Sequence, residues 1–438
     1  MSSGNEKIGK EMSANIDAAN ENNMDAAMRK RYELTARAQK HAFLELELPY
    51  FVFEIKEQVR PDILCEAARS AVGMHPLFGT SLIQDQVFYL EEDSCWEQHP
   101  EGTVIAGGRG KTLWELSCTN NLIIYSGLHA LTDGMGVLQF TTTVLHQYFS
   151  MCGVQFSKDA DSDLPSNPTD TTAHPWTVCP KSPDSFVGVP KFPASSPISD
   201  EYFSPEVRHY LHMIEIPENE IRQFATRSET SIFSIIACLL ARTVQETFHI
   251  DDGCISVRVP VDYRKTFNTN IDSNFSQGFS LCYRPKTMTN MPDEMVETVF
   301  RSQLDLFTDR DNMIQTINKD YRRMQDLKEG RVDFDSYYQH AEGADGPTAM
   351  ILYTHLTRPG FSKELSALIN RFVLISNTKV PYSMHVGATS HNGVITLGIN
   401  QHIVGEKFIT TLKQKLKDKG INFRFHDLSM IKIPEKEL

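Results

Sequence analysis

The 438-residue chain lacks most of the local signatures that tie a sequence to metal, nucleotide or disulfide chemistry. Its eight cysteines (Cys65, Cys95, Cys118, Cys152, Cys179, Cys238, Cys254 and Cys282) are scattered with no Cys-x-x-Cys pair. Neither a zinc ribbon nor a disulfide framework is therefore expected, and the thiols read as reduced. No Gly-x-x-x-x-Gly-Lys-Ser/Thr and no Gly-x-Gly-x-x-Gly following a strand is present, nor is the Gly-x-Ser-x-Gly elbow of a serine hydrolase. Long apolar runs are missing too. The longest, Ile232 to Ala241, contains Ser234 and falls well short of the ~20 residues of a membrane span. Basic charge is in deficit, 43 Lys+Arg against 56 Asp+Glu for a net −13, which argues against a general nucleic-acid binder. Residues 1–28 hold no aromatic residue, no proline and no apolar stretch of a secretory signal. A cytoplasmic protein with a mobile N-terminal lead-in is the expectation.

What remains is an ordinary globular composition, 40% hydrophobic and 23% charged. Residues 29–156 alternate strand and helix signals, opening with the β-prone run Leu44–Ile55. Pro61-Asp62 opens a helix with Leu64, Ala67, Ala68, Ala71 and Val72 on one face. Leu113–Cys118 and Leu122–Leu128 flank Asn120-Asn121, which suits the positive φ of a hairpin turn. Eight of the 21 prolines fall within 157–200, so this stretch is expected to be a surface crossover linker rather than a core element. The second half, 201–438, opens with a strand at Tyr210–Ile216, and Thr230-Ser231 can cap a helix with Phe233, Ile236, Leu240 and Val244 on one side. A long helix from Pro292 should break near Asp309-Arg310-Asp311, and His391-Asn392-Gly393 is the strongest hairpin signal in the chain. Gly420 is placed to cap a last amphipathic helix bearing Phe408, Ile409, Leu412 and Leu416. Two segments carry clustered charge without a clear site: Gly107-Gly108-Arg109-Gly110 reads as a β-turn, and Arg322-Arg323 to Lys328 as a solvated helix face.

The stretch that can carry chemistry is Ser126-Gly127-Leu128-His129-Ala130-Leu131-Thr132-Asp133-Gly134-Met135-Gly136. An imidazole held between a strand and a helix has a pKa near 6.5 in its ordinary state, suited to proton abstraction at neutral pH. Spacing alone equally allows Asp133 to be the N-cap of the following helix and His129 to be a strand-end residue.

His-x-x-x-Asp-Gly after an apolar strand resembles the active-site motif of the superfamily of chloramphenicol acetyltransferase, alcohol acetyltransferases, plant BAHD enzymes and peptide-synthetase condensation domains. Further stretches agree in order: Leu64-Cys65-Glu66-Ala67-Ala68 with His75-Pro76-Leu77-Phe78, Val259-Pro260-Val261-Asp262-Tyr263-Arg264, Asn274, and Ser376-Asn377 after Phe372–Ile375. The resemblance spans roughly residues 30–420. It departs at Leu128, where many condensation domains have a first histidine, at Gly79, where the family often has arginine, and in lacking the BAHD Asp-Phe-Gly-Trp-Gly signature.

The resemblance implies an α/β fold of two similar halves, each a mixed sheet covered by helices, with an active-site tunnel between them. It implies an acyltransferase in which His129 is the general base that moves an acyl group from a thioester, acyl-CoA, to a hydroxyl or amine of a small acceptor. Coenzyme A thioester would be a co-substrate, with no permanently bound cofactor and no metal. A carrier-protein thioester is the alternative donor, and a degenerate, purely binding member of the family is the alternative outside catalysis. Asp133 would pair structurally with Arg264. Backbone N–H groups at Gly134 and the helix start, together with Asn274, Ser376 and Asn377, are the candidates for the oxyanion or substrate contacts.

Overall fold

In the computed structural model the description covers residues 31–43, 48–83, 89–92, 96–99, 104–107, 113–158, 160, 164, 173–180, 193–202, 210–333, 348–357, 360–375, 382–401, 403 and 405–427. The lead-in at 1–28, most of the Gly107–Gly110 turn and the Ser376-Asn377 pair fall outside the described residues, as does much of the 157–200 linker.

The protein is α/β, built on two main sheets covered by helices. The first, six-stranded, runs in the order Ile369–Ile375, Tyr50–Ile55, Leu122–Gly127, Trp114–Thr119, Val104–Gly107, Trp96–His99. The second, seven-stranded, runs Ser276–Tyr283, Ile255–Asp262, Thr348–Thr357, Tyr382–His391, Val394–Gln401, Tyr210–Pro217, Arg424–Asp427. It is mixed, because Thr348–Thr357 pairs in parallel with both of its neighbours. A small three-stranded sheet joins Arg31–Glu33, Tyr89–Glu92 and Thr80–Ile83.

Local chemistry explains the elements that the sequence announces. Asn120 adopts φ 51° and Asn392 φ 49° at the two hairpin turns, left-handed values that asparagine tolerates. Ser231 Oγ accepts from the Ser234 N–H to cap the helix Ile232–Phe248. Asp309 does the same for Arg310–Lys328 by accepting from the N–H groups of Asp311 and Asn312, which breaks the long helix where the charged triplet lies. The helix Ile232–Phe248 buries most of its length in the second-half core, and among the described residues no single helix is long and apolar enough to cross a membrane. The described linker segment 173–180 forms one helical turn, Pro175–Val178, and rests on the second half, where Ala173 O accepts from Ser273 Oγ and Pro180 O from the Asn318 amide.

The seam between the halves is less evident from sequence. Strand Ile369–Ile375 lies in the C-terminal stretch yet pairs antiparallel with Tyr50–Ile55 at the edge of the first sheet. It crosses the second sheet where Gly387 and Gly398 stand opposite one another. A Cβ at Gly398 would collide with the Leu374 carbonyl, and one at Gly387 would lie 2.5 Å from Leu374 Cβ. Both glycines are required by close backbone approach, not by φ. Gly398→Ala is therefore expected to destabilise the protein by about 1–3 kcal/mol, the range for overpacking. Thermal unfolding checks this, and an unchanged Tm would show that the seam has room to relax.

Candidate active site

The helix Gly134–Met151 begins directly after the histidine turn, and its packing fixes the turn from below. Phe140 stacks on Phe78 at 3.9 Å between centroids, Trp114 lies against Phe140 at 5.0 Å, and Trp114 Nε1 donates to the Phe78 carbonyl at 2.7 Å. The His75–Phe78 turn is thereby joined to the strand that precedes the motif. His129 stands two residues beyond the end of Leu122–Gly127, partly exposed, while Leu128, Ala130, Leu131, Thr132 and Asp133 around it are buried.

The tautomer of His129 follows from its neighbours. Nδ1 lies 3.0 Å from the Thr132 carbonyl oxygen, and the Asn274 amide lies 3.2 Å from Nδ1 and donates to the His129 carbonyl at 3.1 Å. A bare Nδ1 would set its lone pair against that of the Thr132 oxygen, so the proton belongs on Nδ1 and Nε2 carries the lone pair. Burial first, and Arg37 second, push the imidazole down to about 4, against a smaller opposing pull from Asp133. The ring is thus neutral at physiological pH. A depressed folded value means that stability from this group is fully present above pH 6.5 and is lost as pH falls from there toward about 4.

Asp133 fills both roles that spacing allowed. Its Oδ1 accepts from the N–H groups of Met135 and Gly136 at 3.1 Å each, as an N-cap does. Arg264 Nη1 lies 2.9 and 3.0 Å from its two oxygens, and the Phe275 N–H donates to Oδ2 at 2.7 Å. Burial alone would raise this carboxyl, but Arg264 and the backbone donors outweigh it and hold Asp133 below the usual carboxylate range. Arg264 also holds Asp262 at 2.7 Å and donates to the carbonyls of Ile271 and Ser273. One guanidinium thus fixes the 262–274 loop, which carries Asn274, against the histidine turn.

Of the helix-start donors, the Met135 and Gly136 N–H groups are spent on Asp133. Gly134 is not the glycine that sterics demand: a Cβ there would meet Phe51 at an ordinary 3.7 Å. Gly136 is, since its Cβ would collide with Thr132 Oγ1 and lie 2.5 Å from the Asp272 carbonyl. Ser376 and Asn377 lie outside the described residues.

Sequence reasoning missed three participants. Thr132 orients His129 through its carbonyl and donates through Oγ1 to the Asp272 carbonyl. Asp272 in turn holds buried His75 at 2.9 Å, and His75 Nε2 meets Thr143 Oγ1 at 2.9 Å. Arg37, in the helix Ala36–Phe43, reaches across to the Ser276 carbonyl at 2.6 Å. The four links Asn274–His129, Arg264–Asp133, Asp272–His75 and Ser276–Arg37 all join residues 262–276 to the first half.

One small cavity adjoins the site, and a larger one lies apart from it on the second half. The small one, of about 20 Å³, room for about one water, lies beside the turn and is lined by Ala130, Leu131, Ser273 and Asn274. The other, about 750 Å³, opens on the second half between Arg222, Thr230, Ser231, Lys265 and Thr308, and its Val259–Val261 wall is the strand leading into Asp262 and Arg264.

No protein-family model and no curated protein matches the chain. Solved structures do. A complex of TRI101 from F. sporotrichioides with coenzyme A and T-2 aligns over 90% of this chain and 99% of that one, with a TM-score of 0.61 and 13% identity. The chain shares the fold of that structure over nearly its whole length. TRI3, a trichothecene 15-O-acetyltransferase from Fusarium sporotrichioides, aligns over 88% of this chain and 94% of its own at TM-score 0.53 and 12% identity. The epimerization domain from the third module of tyrocidine synthetase B aligns over 89% and 95% at 0.55 and 10% identity. At these identities the likeness is one of fold.

Proposed function

We propose that the protein is an acyltransferase that takes an acyl group from acyl-CoA and delivers it to a hydroxyl or amine of a small acceptor, with His129 as general base. The observation that carries this reading is the 3.0 Å contact of His129 Nδ1 with the Thr132 carbonyl oxygen, which places the ring proton on Nδ1 and the lone pair on Nε2. Nε2 would take the proton from the acceptor as it attacks the thioester carbonyl, and return it to the departing thiolate. The bond formed is acyl–oxygen or acyl–nitrogen, the bond broken is acyl–sulfur, and the proton ends on the free thiol.

The large second-half cavity suits a long donor. Its Lys265 is exposed, and Arg222 stands beside Glu218 at its rim. An exposed lysine at such a cleft favours a phosphate-bearing ligand. That one of the similar folds is an O-acetyltransferase and another was crystallised with coenzyme A is consistent with CoA as the carrier.

The test is thiol release from acetyl-CoA by the whole chain, with pooled small alcohols and amines as acceptors. Acceptor-dependent release that acetyl-loaded carrier protein does not improve supports the reading. Release seen only with the loaded carrier protein would transfer the donor role to that partner, and no release with either, from a folded protein, would leave a binding role.

A further inference from the structure

Cys254 and Cys282 form a buried nucleophilic pair for which acyl transfer has no use. Cys254 stands one residue before the strand Ile255–Asp262 and two before Ser256, and Ser256 pairs across the ladder with Cys282. Side chains two residues apart along a strand share a face, so the two thiols lie on the same side of the sheet. Ser256 Oγ, 3.8 Å from Cys254 Sγ, lies there too. The two sulfurs come to 2.7 Å of one another.

That separation selects among the things a thiol pair can do. Two thiolates on one tetrahedral zinc, at about 2.3 Å each, hold their sulfurs about 3.7 Å apart, so a shared metal would have to push this pair away from each other. A disulfide, at about 2.05 Å, needs only a small further approach. Both backbones are held for it. The Cys282 N–H donates to Gln303 Oε1 at 2.8 Å and its carbonyl accepts from Gln303 Nε2 at 3.1 Å. The Cys254 N–H donates to Ser196 Oγ at 3.0 Å and its carbonyl accepts from the Ser196 N–H at 2.8 Å. The pair also divides its proton unequally. Hydrogen bonding from the Cys254 thiol, and Arg284 after it, draw Cys282 below the ordinary thiol value against the cost of burial. Cys254 is pushed well above that value, by Cys282 first and by burial second.

The position of the pair gives a bond between them a consequence. The strands Ile255–Asp262 and Ser276–Tyr283 pair along their whole length, and the loop between them carries Arg264, Asp272 and Asn274. That loop is tied to the first half at one end of the ladder, and the cysteines stand at the other.

We propose that Cys254 and Cys282 are an oxidation site, at which hydrogen peroxide forms an intrachain disulfide that closes the hairpin bearing Arg264, Asp272 and Asn274. The Cys282 thiolate attacks one peroxide oxygen, the O–O bond breaks and water leaves, giving a sulfenic acid. Cys254 sulfur then attacks the Cys282 sulfur and expels a second water as the S–S bond forms. Two thiols thereby lose two electrons and two protons, and one peroxide becomes two waters. With the residues only 0% and 2% exposed, a small oxidant suits the site and a bulky disulfide does not.

The test treats the folded whole chain with hydrogen peroxide, removes the oxidant, unfolds the protein in urea, alkylates the remaining thiols and maps tryptic peptides by mass spectrometry. Cuts at Arg258, Arg264 and Lys265 separate the two cysteines, so a linked peptide reports the bond. A Cys254–Cys282 peptide that dithiothreitol releases is expected, while Cys65 and Cys238, also buried, should be recovered as alkylated thiols. Oxidation should raise Tm by about 3–6 °C, and reduction should reverse the rise, because the link restricts the unfolded loop. Cys254→Ser should abolish both effects and leave Cys282 as a sulfenic acid that dimedone traps, whereas Cys282→Ser should leave Cys254 a thiol. Circular dichroism identifies any variant that fails to fold, and the wild-type peptide map stands without variants. No linked peptide from the folded chain, linkage of either cysteine to a different one, or a bond that forms only after unfolding would overturn the proposal. A Tm that falls on oxidation would overturn the closing role assigned to the bond.

Discussion

His129→Ala is expected to fold normally and to lose about 10²- to 10⁴-fold in turnover, the contribution of a positioned acid–base group. Removing the ring deletes Nε2 without touching the ion pair beneath it, because Asp133 makes its contacts to Arg264, Met135, Gly136 and Phe275 and not to the imidazole. The loss should appear in kcat and kcat/KM alike, since the proton is taken only as the bond forms. A folded variant with full turnover would remove the general-base mechanism. His129→Gln is the useful companion: it keeps a side chain in the turn but supplies no base, so it should be as inactive as the alanine variant.

The second large effect concerns stability. Arg264 and Asp133 are both buried, and besides each other Arg264 is satisfied by the carbonyls of Ile271 and Ser273, and Asp133 by the N–H groups of Met135, Gly136 and Phe275. Removing either partner strands a charge away from water, so Asp133→Ala and Arg264→Ala should each cost about 3–5 kcal/mol. The double variant should cost clearly less than the sum, because the second deletion relieves the charge left by the first. Arg264 keeps a second carboxylate, Asp262 at 2.7 Å, so Asp133→Ala should be the milder of the two single changes. Strict additivity in urea unfolding would show the pair to be uncoupled. A loss of about 1 kcal/mol at Asp133 with none at Arg264 would reduce Asp133 to a helix cap.

Much of the scaffold could be read in advance because its signals are local. Asn120 and Asn392 announce left-handed turns, and Asp309 sits where a long amphipathic pattern has to stop and restart. The pairing of Arg264 with Asp133 was foreseen only through resemblance, since no periodicity connects positions 131 residues apart. What escaped has the same physical character throughout. Thr132 works through its backbone carbonyl, which no side-chain pattern reveals. Asp272 and Arg37 depend on how the halves dock, and Gly136 looks like Gly134 until the neighbours of each are known. Strand Ile369–Ile375 reads as any apolar strand, and only tertiary pairing places it in the sheet of the other half. The cysteines make a similar point: Cys254 and Cys282, 28 residues apart, bring their sulfurs to 2.7 Å across neighbouring strands although their spacing suggests nothing. The ordinary imidazole value expected for His129 fails for the same reason, because burial and Arg37 are not properties of the motif.

The central claim is that a neutral His129 takes the proton, and the pH dependence of kcat/KM for thiol release from acetyl-CoA tests it most directly. Only the neutral ring can accept, so activity should stay level as pH falls through 6.5 and decline only as it approaches about 4. A profile that breaks at the ordinary imidazole value, or one that stays flat through the acid range, would contradict the account.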